Sequence, residues 1–228
     1  MFFEEHAKLL SDFARVSQAA GARADYVQGG GGNTSVKLPG GLMAIKASGF
    51  CLSDIRPDKA YAVLDGADLR NFYLTTEPSE LADVEKEGSA RAKADIRHID
   101  GLADLRPSVE AGFHSILKTF VVHTHSVYAN LAACSTACRP IATQAFAGAG
   151  YTWGWVPYTD PGAKLTFAIR DELRRVEKET GKAPSVILMQ NHGIIVHDDD
   201  PDTALAIHTD ANERLAHMFG LTGTSFPK

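Results

Sequence analysis

Several protein classes are excluded by what this sequence has little of. It carries three cysteines in 228 residues, Cys51, Cys134 and Cys138. That is too few for a closed disulfide framework, and they lack the paired spacing of a zinc ribbon. They read as small buried thiols in a reducing compartment. No apolar run approaches the roughly 18 residues a membrane helix needs. The opening MFFEEHAKLL has Glu4 and Glu5 where a secretory leader would be basic. Positive charge is not in surplus: Lys+Arg 23 against Asp+Glu 28 give a net charge of −5. Broad attraction to nucleic acid or to an anionic membrane is thereby excluded, although a local pocket can still take a small anion. With 22% charged and 44% hydrophobic residues, composition is that of a folded globular chain. The expectation is a soluble, cytoplasmic protein forming one domain over residues 1–228.

Along the chain, Phe2, His6, Leu9, Phe13 and Val16 recur at steps of three and four, predicting a helix closed by Gly21. Gly29 to Gly32 open a loop into Asn33-Thr34-Ser35-Val36-Lys37. A turn at Pro39-Gly40-Gly41 then leads to a strand over Leu42 to Lys46, so a hairpin is expected. Residues 67–105 are charged and weakly periodic, which predicts a surface elaboration of one or two helices. A helix is expected to start at Arg106-Pro107-Ser108, with Phe113, Ile116, Leu117 and Phe120 as its buried stripe. Phe120 to Val127 reads as a buried β-branched strand. Residues 128–138 read as helical, and the stretch through Trp153 and Tyr158 as irregular. A helix over Leu165 to Val176 follows, then strands Ser185–Met189 and Gly193–Val196. The last helix is expected after Asp200, with Pro201 at its first position. Alternating elements of this kind fit one layered α/β domain.

The chemistry concentrates in a few residues. Alternate strand side chains share a face, so His123 and His125 project to the same side. Such a pair suits one divalent metal. His192, in the tight Gln190-Asn191-His192-Gly193 junction, is the best third ligand. Three histidines with an open position form the pattern of a catalytic zinc site, although two strand histidines could equally be hydrogen-bonded core residues. Glu110, two residues after Ser108, either complements a helix dipole or acts as a general base beside the metal. The run ending Gly32-Asn33-Thr34 exposes backbone N–H groups suited to an anion, and Ser48-Gly49 and Ser108 add donors of the same kind. It matches neither a P-loop nor a dinucleotide fingerprint.

The segments GGGGNTSVK at 29–37, KASG at 46–49, RPSVE at 106–110, VVHTHSV at 121–127 and QNHGIIV at 190–196 together resemble the class II aldolase/adducin family. The resemblance implies a three-layer α/β/α fold around a central, largely antiparallel sheet. It places His123, His125 and His192 on the zinc-ligand positions, with another divalent ion as an option, and Glu110 on the catalytic acid/base. Asn33, Ser48, Gly49 and Ser108 fall on positions that hold a substrate phosphate. The implied reaction is retro-aldol cleavage of a ketose 1-phosphate to dihydroxyacetone phosphate and an aldehyde. The implied assembly is a homotetramer with interface active sites. Val109 and Gln144 depart from the pattern of fuculose-phosphate aldolases, which have serine and tyrosine there, so Tyr151 and Tyr158 become the candidates for the aldehyde-side acid. The 67–105 elaboration resembles longer aldolase domains fused to dehydrogenases, a partner this chain is expected to lack. Epimerases, dehydratases and decarboxylases use the same metal site, and adducin-like domains keep the fold as non-catalytic assembly units. A three-histidine metallohydrolase is a further reading, but it leaves the glycine and serine loops unexplained.

Overall fold

Alternation along the strands sets the architecture. The computed structural model describes residues 1–222; the final six residues of the expected 1–228 domain lie outside that range. The helices are α1 (Phe2–Glu5), α2 (Ala7–Gly21), α3 (Gly66–Thr75), α4 (Val84–Ala94), α5 (Ala111–Ile116), α6 (Val127–Ala133), α7 (Cys138–Ala145), α8 (Ala163–Thr180) and α9 (Pro201–Met218). The strands are β1 (Asn33–Lys37), β2 (Leu42–Lys46), β3 (Tyr61–Asp65), β4 (Ile96–Arg97), β5 (Phe120–Thr124), β6 (Trp153–Val156), β7 (Val186–Met189) and β8 (Gly193–Asp198). They form one eight-stranded sheet in the order β4-β3-β2-β1-β5-β8-β7-β6. Every neighbouring pair is antiparallel except β6 with β7.

Each face of the sheet carries its own apolar core. Phe120 and Val122 pack with Phe13 of α2 and Leu215 of α9. Val121, between them in sequence, packs on the other face with Phe113 of α5, Leu69 of α3 and Leu165 of α8. Period-two burial on both faces demands cover on both sides, and the result is the expected α/β/α sandwich. At the centre, β1, β5 and β8 lie side by side with Asn33 opposite His123 and His123 opposite Ile195. The N-terminal ends of β1 and β8 and the C-terminal end of β5 therefore meet at one edge. That edge carries the site.

Several boundaries differ from the sequence expectations. The first helix is broken at His6, giving α1 and α2. β5 stops at Thr124, because Ser126 turns to cap α6 and accepts the Ala129 N–H. The helix expected from Arg106 begins only at Ala111, since Pro107 is still extended and bridges Ala47. β3 and β6 arise in segments not read as strands, and 138–145 is helical. The elaboration over 67–105 contains most of α3, all of α4 and the two-residue β4. Among the described residues no helix is long and apolar enough to cross a membrane.

Candidate metal centre

Three imidazoles converge at the sheet edge. His123 is the fourth of the five buried residues of β5, and His125 follows two residues later, just beyond the strand, with its ring on the same side. His192 comes from the β7–β8 turn. Asn191, at φ 54°, supplies the left-handed step that turns the chain there, a conformation asparagine tolerates better than most residues. One ligand atom from each of His123, His125 and His192 lies within 4.8 Å of the others. His123 Nε2 and His125 Nε2 are 3.1 Å apart, close to the roughly 3.3 Å between nitrogens that share a tetrahedral ion at about 2.0 Å. The Ile194 carbonyl, 3.0 Å from His123 Nδ1, takes that ring's N–H. This leaves the Nε2 lone pair facing the cluster, an outer contact typical of a ligating histidine. With His125 in the same tautomer, two nitrogens at this distance suit a shared cation.

Close packing at this edge explains two of the glycines. A Cβ on Gly32, whose φ is +70°, would stand 2.6 Å from the His123 carbonyl oxygen. One on Gly193 would stand 2.4 Å from the Thr124 carbonyl oxygen. The glycine loop is pressed against the backbone that presents the histidines, a demand only glycine meets.

Glu110 caps α5 from the N-terminal side, but its side chain makes no cap hydrogen bond. The carboxylate turns into the cluster instead: Oε1 is 3.1 Å from His192 Nε2 and Oε2 is 3.6 Å from His123 Nε2. Asn33 Nδ2 donates to Glu110 Oε2 at 2.6 Å and to Ser108 Oγ at 3.1 Å. The Asn33 carbonyl accepts from His114 Nε2, and Ser35 Oγ donates to His114 Nδ1 at 2.7 Å. A buried chain of side chains, Ser35 to His114 to Asn33, thus fixes which way the Asn33 amide points. Both Asn33 amide hydrogens are committed inside the protein, an engagement different from the phosphate contact that the family resemblance implies.

Burial sets the protonation of the site. Desolvation pushes His123 down to about 3, and it lowers His125 as well, with the neighbouring His192 acting in the same direction. Both are neutral near pH 7, the form that binds metal. Burial works to raise Glu110, yet His123, His192 and the Asn33 N–H together hold its carboxyl well below the usual range. It is an anion at neutral pH. The donor set, three imidazoles beside one carboxylate, fits a divalent cation such as Zn2+.

The remaining expected residues form a rim. The Ser48 N–H donates to the Arg106 carbonyl at 2.9 Å, and Arg106 Nη2 reaches Ser48 Oγ at 3.1 Å. That brings the exposed Ser48-Gly49 corner beside the extended segment that leads into Ser108. Ser108 Oγ also accepts the Glu110 N–H at 3.2 Å. A cavity of about 720 Å³ opens along Arg106, Ser108 and Val109 and is walled by Ala92, Lys93 and Ile96 of the elaboration. Tyr151 donates to Asp210 of α9, and the exposed Tyr158 to Asp160, with its N–H on Gln190 beside His192. Gln144 is exposed on α7. Lys46, not singled out in the sequence, donates to the Phe50 and Gly30 carbonyls at 2.7 and 3.4 Å and ties the two rim loops together. Its signal was a lysine closing an otherwise apolar strand. His114 was equally unannounced, hidden within the α5 stripe.

The sequence matches the model of the Class II Aldolase and Adducin N-terminal domain over residues 11–219. No curated protein matches it. Among solved structures, the N-terminal class II aldolase domain of a conserved Thermoplasma acidophilum protein aligns over 92% of this chain and 93% of its own, at 20% identity and TM-score 0.74. YgbL from Escherichia coli, described with three alternative activities (aldolase, epimerase or decarboxylase), aligns over 96% and 91%, at 20% identity and TM-score 0.64. L-fuculose-1-phosphate aldolase from Thermus thermophilus aligns over 94% and 95%, at 15% identity and TM-score 0.56. At these identities the structural likeness speaks to fold alone. The family model spans nearly the whole chain, from the second helix to the end of the last, and the chain belongs to the class II aldolase and adducin N-terminal domain family.

Proposed function

We propose that this chain is a divalent-metal lyase that cleaves a ketose 1-phosphate by a retro-aldol reaction, with Zn2+ as the metal and dihydroxyacetone phosphate as one product. His123, His125 and His192 would hold the ion, which when bound supplies Lewis-acid polarisation of a substrate carbonyl. The observation that carries this reading is the carboxylate of Glu110, ionised and aimed at the histidines rather than at its own helix. In the cleavage direction the C3–C4 bond breaks as the C4 hydroxyl gives up its proton to the Glu110 carboxylate. The electron pair left on C3 is conjugated with the C2 carbonyl, and Glu110 delivers a proton to C3 to complete the ketone. In reverse Glu110 removes that proton. The Asn33 N–H on Oε2 holds the carboxylate in place between the two steps.

Ser48, Gly49 and Ser108 are assigned to the substrate phosphate, as neutral hydroxyl and backbone donors at an open rim. Asn33 is assigned here to the acid/base rather than to the phosphate. The cavity beside Val109 is the space for the aldehyde portion, so the charged elaboration would select it. The L-fuculose-1-phosphate aldolase and sugar-phosphate aldolase among similar folds support the substrate class. By the same reading the working assembly is a homotetramer.

The test is a retro-aldol screen over ketose 1-phosphates with epimeric products followed in parallel. Release of dihydroxyacetone phosphate is the expected result; epimers without cleavage would transfer the site to an epimerase. Glu110→Gln should keep its full metal content, while hydrogen exchange at C3 of dihydroxyacetone phosphate drops at least a hundredfold. Undiminished exchange removes Glu110 from the acid/base role.

A further inference from the structure

The edge of the sheet remote from the histidines holds a second concave site. Asn33 and Lys37 stand at opposite ends of β1, roughly 13 Å apart at strand rise. Around Lys37 an open cavity of about 700 Å³ lies between the sheet edge and helices α3, α5 and α8. Lys37 Nζ donates to the His114 carbonyl, and Arg70 Nη1 to the Ser115 carbonyl at 3.2 Å. Neither cation forms an ion pair with a carboxylate among the described residues. Two carboxylates share the wall: Glu177 at the α8 side, and Asp199, which is engaged by the Thr119 N–H and hydroxyl at 3.1 and 2.7 Å. Lys118 beside them is already paired with Asp198 at 2.9 Å. Burial first, and then the charge of Arg70, push Lys37 down, while the Asp199 carboxylate acts in the opposite direction. Leu38, Ile116 and Leu173 form an apolar part of the lining, beside Arg170, Arg174 and His197. A chain with net charge −5 has thus gathered, in a partly apolar cavity, two basic side chains that hold only backbone carbonyls.

We propose that this cavity binds an organic anion, a phosphate or carboxylate head held by Lys37 and Arg70 with an apolar body against Leu38, Ile116 and Leu173. A charged head on an apolar body is what the lining recognises, since a bare ion would leave the leucines wet and a neutral body would leave the cations unpaired. The site is independent of the chemistry assigned to the histidine edge.

Titration calorimetry on the full chain tests this with four probes: phenyl phosphate, benzoate, benzyl alcohol and inorganic phosphate. At least one of the first two should bind ten times more tightly than both benzyl alcohol and inorganic phosphate, and the tighter of the pair identifies the head group. Arg70 is exposed on α3, so Arg70→Gln should keep the melting temperature while weakening that probe at least tenfold. Ser48→Ala, at the other edge, should leave its affinity within twofold. Binding that survives Arg70→Gln, or that falls with Ser48→Ala instead, overturns the proposal. So does equal affinity for inorganic phosphate. Loss of aldolase activity in the substrate screen would leave this result untouched.

Discussion

At the residue scale, Asn33 does the least expected work. The three histidines could be found from residue type and spacing, because an alternating pair on a strand and a histidine in a tight turn are local features. The partners of Asn33 are not local. They lie 75, 77 and 81 positions away at Ser108, Glu110 and His114, and only the pairing of β1 with β5 and the docking of α5 bring them together. Sequence likeness placed Asn33 at the phosphate, whereas its amide is buried against the carboxylate. Replacement tests the difference. Asn33→Leu removes a charge-assisted hydrogen bond of about 2 kcal/mol and leaves the His114 ring without its acceptor. Glu110 should then titrate at higher pH, and the pH profile of proton exchange should move in the alkaline direction. The Michaelis constant for the phosphorylated substrate should change less than threefold if Asn33 positions the acid/base, and much more if it holds the phosphate. Metal content, measured by elemental analysis, should be unchanged.

At the scale of elements, the site depends on how closely three chain segments approach. β5 and β8 pair with His123 opposite Ile195, and the β7–β8 turn must pass directly over the Thr124 carbonyl. Gly193→Ala places a methyl carbon 2.4 Å from that oxygen, and backbone cannot yield as a flexible side chain would. Overpacking of this kind costs about 1–3 kcal/mol, and the same displacement moves His192 away from its partners. The variant should melt several degrees lower and also lose bound metal, whereas a purely structural glycine would lower the melting temperature alone. Thermal denaturation with metal analysis on one sample separates the two. The strands of the hairpin and of β7 and β8 were legible because apolar alternation and Gly or Pro punctuation mark them locally. β6 was not, since Trp153-Gly154-Trp155-Val156 sits among aromatics and glycines and owes its strand state to parallel pairing with β7, 33 positions on. The α5 start was misplaced for a related reason: Pro107 is drawn into an extended bridge with Ala47, a tertiary contact that overrides the local helix signal.

For the whole molecule, the large number of buried neutral histidines sets its response to acid. His197 and His208 lie outside the metal cluster on opposite faces of the sheet, and burial pushes both down to about 3. His208 donates or accepts at the Thr124 hydroxyl at 2.8 Å and packs edge-on against Tyr26, so it joins α9 to the segment that carries His125. Released by unfolding, each ring regains an ordinary value near 6.5. The folded pKa is therefore the lower one, and the unfolded chain holds more protons between about 3 and about 6.5. Stability is complete above that window and falls as pH drops through it, by about 1.4 kcal/mol per pH unit for each such histidine. Urea denaturation at pH 7, 6 and 5 with chelator present should show a steepening loss, because the metal-free cluster adds His123 with the same sign. His208→Leu removes one titrating ring, so its stability should decline less steeply with acid by about that increment, even though the loss of the Thr124 contact makes it less stable at pH 7. Parallel curves for the two proteins would mean that His208 takes up its proton in the folded state as readily as in the unfolded one, in which case its contact with Thr124 could not be a buried hydrogen bond of a neutral ring.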